Sequence, residues 1–185
     1  TTCYQRDFIP GLATDKIPRE RFSDPTFAIR FAELIGAAAA PNLVVGRSTR
    51  DGVAIFDSGD EVLILNANEY PQRLVVADHA GTFMDYTRPL ESFAKDYAKP
   101  AASRTDRVAD PAAFADAYVK ALAERLAGLQ ADYRERRQAF DTLFKHSKQG
   151  DGTFSWRWAK ALARLERTDV AALARRVREA ISLPR

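Results

Sequence analysis

Pro41-Asn42-Leu43-Val44-Val45, then Arg50-Asp51-Gly52, then Val53-Ala54-Ile55-Phe56-Asp57-Ser58-Gly59-Asp60-Glu61 is the stretch whose reading decides the fold. An apolar run ends in a polar turn, and a second apolar run returns to end in a carboxylate followed by glycine. That is the pattern of an antiparallel hairpin, with strands near 43–47 and 53–57. Asn42 would head the first strand and Asp57 close the second, so the two would lie side by side. An amide and a carboxylate placed together are hard oxygen donors of the kind Mg²⁺ takes. Asp60 and Glu61 add two carboxylates, and three such groups repel unless a cation or an arginine neutralises them. In an extended run Asp57 and Glu61 point to one face and Asp60 to the other. Asp57 with Glu61 is therefore the better metal pair. The alternative is an ordinary hairpin whose polar ends sit in water.

Upstream, Thr1 to Ile9 reads as a strand entering a turn at Pro10-Gly11. Ser23 and Asp24 precede Pro25, a capping side chain followed by proline where its missing N–H costs nothing. Phe27, Phe31, Leu34 and Ile35 then recur at helical spacing. The helix is expected to run to about Ala39 and stop before Pro41. Ala37 to Ala40 put four small side chains in its last turn, which predicts a close packing partner there.

Downstream, Glu61 to Leu65 and Arg73 to Ala77 read as a third and a fourth strand joined by a turn at Asn66-Ala67-Asn68. A short helix is expected over Pro89 to Tyr97. From Asp110-Pro111 onward alanine, leucine and arginine dominate, and helices are expected at 111–129, 132–147, 154–166 and 169–182, with Asp110 and Thr168 as N-caps. Phe114, Tyr118, Leu122, Leu126, Leu129, Phe140, Leu143 and Phe144 would form their buried side. The fold class this implies is α+β: a small, mostly antiparallel sheet beside helices, followed by a helical C-terminal portion. Residues 1–102 make the α+β part and 103–185 the helical part, packed on the first as one domain.

The 185 residues suffice for one domain with a sizeable core. A single cysteine, Cys3, excludes an internal disulfide framework and, with only two histidines, argues against zinc. It fits a reducing, cytoplasmic compartment. No apolar stretch in the sequence approaches the ~20 residues that cross a bilayer, so no membrane partner is expected. The chain opens without methionine inside a strand-like run, which points to further sequence upstream. Net charge is uneven: −3 over residues 1–102 and +6 over 103–185. The basic residues alternate with acids at helical spacing, as on a solvated face, which argues against nucleic acid as the partner.

The order of strand, Pro-Gly turn, helix, Pro-Asn, strand, turn, strand and Asp-x-Gly over residues 4–60 resembles the C-lobe of the protein-kinase-like superfamily, including its aminoglycoside and choline kinase branch. Asp7-Phe8-Ile9-Pro10-Gly11 stands where that family has its hinge, Asn42 where its catalytic loop ends, and Asp57-Ser58-Gly59 where it has Asp-Phe-Gly. The resemblance implies an ATP- and Mg²⁺-dependent phosphotransferase. Phe8 and Ile9 would meet the adenine, and Asn42 and Asp57 would hold the metal with Asp60 or Glu61 assisting. It also implies an upstream N-lobe as partner, because no Gly-rich loop or lysine strand precedes Tyr4. Two departures stand out. The position five residues before Asn42 is Ala37, which cannot accept a proton, and Ser58 replaces the usual phenylalanine. The chain could thus be a pseudokinase.

Asp78-His79 closes an apolar strand, and a histidine beside a carboxylate is a candidate acid or base. Asp78 and His79 are accordingly the candidate catalytic residues, with an exposed loop pair as the alternative. There is no Gly-x-Ser-x-Gly elbow, Gly-x-Gly-x-x-Gly or Walker loop. Two other functional readings stand beside the kinase-like one. The first is a non-catalytic helical domain that binds a protein. The second is a nucleic-acid-associated module acting through Arg134, Arg136, Arg137, Arg175, Arg176 and Arg178.

Overall fold

The computed structural model describes residues 11–46, 56, 61–76, 88–101, 105–146 and 153–181. The architecture is α+β: among the described residues there are a three-stranded antiparallel sheet and five α-helices, with short 3-10 turns between them.

Helix α1 spans Pro25–Val44 and starts as the sequence dictates. The Asp24 carboxylate accepts from the backbone N–H groups of Thr26 (2.8 Å) and Phe27 (3.4 Å), with Pro25 as first residue. Phe27 and Phe31 both stand edge-on to Phe22, giving an aromatic cluster at the helix entrance.

The other end of α1 corrects the sequence reading. The helix does not stop before Pro41 but runs through it, so 43–47 does not begin as a strand: Asn42, Leu43 and Val44 are helical. Proline inside a helix removes one N–H bond and crowds the carbonyl four residues back, at a cost of about 3 kcal/mol. Burial of Leu43, Val44 and Val45 offsets this, each side chain contributing about 1.5–3 kcal/mol. The helix ends one turn beyond Pro41 at Gly46, whose φ of 65° is the left-handed conformation that closes helices. Of the predicted second strand, 53–57, only Phe56 is described. It is buried in a turn with φ 65°, so a regular strand does not run through it. The start of the first expected strand is therefore replaced by a helix end, and the rest of the hairpin, apart from Phe56, lies outside the described residues.

The sheet lies further on. β1 (Leu12–Ala13), β2 (Glu61–Leu65) and β3 (Pro71–Val76) are ordered β1-β2-β3, all antiparallel. β2 has the predicted bounds, and β3 begins two residues earlier than expected. In the connection the Asn66 side chain accepts from the N–H groups of Asn68 and Tyr70, which is why asparagine turns the chain there. Glu61 pairs with Val76, Leu63 with Leu74 and Ile64 with Arg73, before an irregularity at Ile64/Leu65. The expected strand over Thr1 to Ile9 lies outside the described residues. In place of one helix over 89–97 there are two 3-10 turns, Leu90–Phe93 and Asp96–Ala98.

Helix α2 spans Pro111–Glu135, capped by Asp110, which accepts from the Ala113 N–H at 2.9 Å. It runs six residues past its expected end and breaks at Arg136, after which α3 (Arg137–His146) begins. α4 spans Thr153–Arg167 and α5 Val170–Ala180. The cap of α5 is Asp169, not Thr168, and it accepts from the Ala172 N–H. Phe114, Tyr118, Leu122 and Leu126 are buried as expected, while Leu129 and Phe140 are half-buried.

The largest helix contact is α1 against α2, with β3 also packed on α1. The close approach expected at the alanine-rich turn is realised one residue earlier as well. Ala39 and Ala40 are fully buried, and a Cβ built on Gly36 would run into the Tyr118 carbonyl. Contrary to the sequence expectation, α1 is long and apolar enough to cross a bilayer by length and composition. Here it is a core helix, buried against α2 and β3.

Candidate functional site

Of the candidate residues, Glu61 lies in the described hairpin β2–β3. Glu61 is the first residue of β2 and Val76 the last of β3, and they stand opposite each other. Asp60 is covalently joined to Glu61, while Asp78 and His79 follow Val76 by two and three residues in the chain. The first residue of β2 and the last of β3 thus share one end of the hairpin. Asp57, Asp60, Asp78 and His79 themselves lie outside the described residues, as do Phe8 and Ile9.

Glu61 is 1% exposed. A buried carboxylate is costly unless partners hold it, and Glu61 does have interactions of that kind. Buried ionisable groups at strand ends are common where chemistry is done, so this position is a site candidate on physical grounds.

Asn42 does not join it as a strand head. It is a buried residue in the last turn of α1, and its amide nitrogen donates to the Ala38 carbonyl at 3.2 Å, within its own helix. The expected Asn42 and Asp57 pairing through a hairpin at 43–57 is removed with that hairpin's first strand. Among the described residues, no group of three or more His, Cys, Asp or Glu side chains converges as a metal site would.

A second polar centre was not anticipated from the sequence. Arg164 on α4 donates from one terminal nitrogen to the Val44 carbonyl and from the other to the Arg88 carbonyl, both at 2.7 Å. Val44 is the last residue of α1, where helix carbonyls lack intrahelical partners and a cation is favoured. Its guanidinium also lies 5.7 Å from the Phe93 ring centroid, which Arg88 approaches to 4.2 Å. Thr168 donates its hydroxyl to the Arg164 carbonyl at 3.0 Å. Beside this clamp is an open cavity of about 440 Å³ whose lining includes Glu91, Lys160, Arg164 and Arg167. The only signal in the sequence was a charge between Ala161 and Leu165, next to the apolar stripe of its helix.

The arginines of the nucleic-acid reading are spread out. Arg137 pairs with Glu166 at 2.9 Å and Arg178 with Asp116 at 2.5 Å. Asp116 and Arg136 are separated by 20 residues of α2, about 30 Å along its axis.

No protein-family model matches this chain, and no curated protein or solved structure matches it at a significant level.

Proposed function

We propose that this chain is the C-terminal lobe of a kinase-like, ATP- and Mg²⁺-dependent phosphotransferase, or a pseudokinase that keeps the nucleotide site. Its metal-holding hairpin would be β2–β3. The observation that supports this reading is the burial of Glu61 at the head of β2, opposite the last residue of β3. Helix followed by antiparallel hairpin keeps part of the order of the resemblance, one hairpin further downstream, without its Pro-Asn head or its Asp-x-Gly.

In this register Glu61 takes the place assigned to Asn42, and Asp78 the place assigned to Asp57. Their separation is 17 residues, against 15 for the first pair. In this reading the Glu61 and Asp78 carboxylates would repel each other, and a divalent cation would remove that cost. Asp60 would assist from the neighbouring position. The metal, with its nucleotide, would supply charge neutralisation of the phosphates. Counting five residues back from Glu61 reaches Phe56, as the earlier count reached Ala37, so the family's usual base is missing in both registers. His79 and Asp57 are the groups left to accept a proton, and loss of both functions is the pseudokinase case.

The test is calorimetric titration of Mg-ATP into this chain. Wild type, Glu61→Gln, Asp78→Asn and Asn42→Ala are compared, with circular dichroism confirming the fold of each. The proposal expects Mg²⁺-dependent binding that Glu61→Gln and Asp78→Asn abolish and Asn42→Ala retains. Nucleotide affinity indifferent to both carboxylates sinks the metal assignment. Absence of binding in wild type leaves the non-catalytic helical interaction domain as the better account.

A further inference from the structure

Helix α4 carries three cations on one stripe. Lys160, Arg164 and Arg167 follow one another at steps of four and three residues, so they share a face of the helix. That face is one wall of the cavity of about 440 Å³, whose other wall is the chain around the 3-10 turn Leu90–Phe93. Pro89 and Ala163 add apolar surface there. Among the described residues that line the cavity, Glu91 is the one carboxylate, so three cations stand against one acid.

Two ordinary reasons for such a stripe are met by other residues. Cations in a last helical turn complement the carbonyls of that end. At the end of α4 the Leu165, Glu166 and Thr168 carbonyls face the amide of Gln130 from α2 instead. Acids one turn away neutralise a basic stripe. The acid of α4, Glu166, pairs with Arg137 at 2.9 Å and does not line the cavity. Arg164 gives its two terminal nitrogens to the Val44 and Arg88 carbonyls, which fixes its charge in the wall.

We infer that this cavity is a binding site for a small organic anion: a doubly charged group, phosphate or paired carboxylates, on a short apolar body. Lys160 and Arg167 stand about one turn to either side of the fixed Arg164 charge. The lysine would act as a point charge and the arginine as a planar fork, and both suit phosphate and carboxylate oxygens. A concavity lined mainly by one sign of charge focuses its field and raises the local concentration of the opposite ion. Pro89 and Ala163 would meet the carbon body, and the volume falls in the range of roughly 300–1,000 Å³ typical of small-molecule sites. None of these residues belongs to the proposed metal-nucleotide site, so the inference stands apart from the kinase-like reading.

The experiment titrates inorganic phosphate, phenyl phosphate and succinate separately into the whole chain, without Mg²⁺, by calorimetry and by amide NMR shifts. Phenyl phosphate or succinate should bind more tightly than inorganic phosphate, with shifts concentrated at 89–91 and 160–168, and affinity should fall as salt rises. Whichever of the two binds tighter assigns the anionic group. Lys160→Gln and Arg167→Gln should each weaken binding by roughly fivefold, and Glu91→Gln should tighten it by a similar factor. Arg175→Gln is the control: it removes the same unit of charge from an exposed position on α5 outside the cavity, and should leave affinity unchanged. Circular dichroism confirms the fold of each variant. Three results overturn the inference: no binding of any probe at millimolar concentration, an equal loss in Arg175→Gln, or inorganic phosphate binding as tightly as both organic probes. Because Mg²⁺ is absent, failure here leaves the kinase-like reading standing, and failure of Mg-ATP binding leaves this site standing.

Discussion

Gly36 of α1 lies against the Tyr118 carbonyl of α2, so the two longest helices touch backbone to backbone at the centre of the core. A Cβ at position 36 would strike that carbonyl and come within 3.1 Å of the Ala121 Cβ. Backbone cannot swing aside as a long side chain can. Gly36→Ala gains about 1 kcal/mol of helix propensity, yet overpacking of this kind costs about 1–3 kcal/mol or more. The expected net outcome is destabilisation, seen as a lower urea midpoint. Ala39→Gly, a substitution without added volume, should destabilise by propensity and lost burial alone. Equal or higher stability in Gly36→Ala would show that the crossing is looser than described.

The same tyrosine carries a pH prediction. Tyr118 is fully buried, and its hydroxyl donates to the Tyr97 carbonyl at 3.0 Å. Burial pushes its pKa far above the ordinary tyrosine value, and burial also raises that of Tyr133. The unfolded chain therefore releases these protons first as pH rises. Their contribution to stability is complete below the unfolded pKa of about 10 and is lost progressively above it. For the fully buried Tyr118 the slope in that window approaches about −1.4 kcal/mol per pH unit. Tyr118→Phe should lose about 1 kcal/mol or more at neutral pH, because it leaves the Tyr97 carbonyl without that donor. It should also show a shallower fall in stability between pH 10 and 11. An unchanged slope would mean that Tyr118 ionises in the folded state.

These relationships bear on what the sequence disclosed. The start of α1 was legible because a cap, a proline and a helical apolar period agree at Ser23 to Phe27. β2, its turn and most of β3 were legible because alternation and asparagine chemistry are local. The end of α1 was not. Pro41 is a local stop signal, and what overrides it is tertiary: the burial of Leu43, Val44 and Val45. Gly46, with its left-handed φ of 65°, closes the helix instead. That misreading put Asn42, one of the expected metal residues beside Glu61, at a strand head where the structure has a helix. The Arg164 contacts were invisible because carbonyls offer no side-chain pattern to read.

Pro41 itself should therefore be a weak point in α1. It sits exposed within the helix and removes the N–H that would bond the Ala37 carbonyl. Pro41→Ala restores that bond without touching the buried face. It should raise stability by about 1–3 kcal/mol, the cost of interior proline reduced by its rigidifying effect on the unfolded chain. Thermal denaturation would show a higher melting temperature. A fall instead would mean that the proline sets a bend on which the packing of Leu43 and Val44 depends.

Gln130 offers the sharpest electrostatic test of how the helical part is assembled. From α2 its amide nitrogen lies within hydrogen-bonding distance of the Leu165 carbonyl at 2.9 Å and of the Glu166 and Thr168 carbonyls at 3.2 Å. It thus covers the C-terminal end of α4, where carbonyls have no intrahelical donors and the helix dipole is negative. Gln130→Glu keeps the shape but replaces a donor by an acceptor-only carboxylate facing three carbonyls. It should destabilise by about 2–3 kcal/mol at neutral pH, against about 1 kcal/mol for Gln130→Ala. The penalty should shrink as pH falls toward 4, because the protonated acid regains a donor. The folded protein disfavours the charged form, so this glutamate's pKa is raised, and the stability lost on ionisation returns only below it. Equal denaturation midpoints for Gln130→Glu and Gln130→Ala across that pH range would show that the side chain does not face the carbonyls in solution.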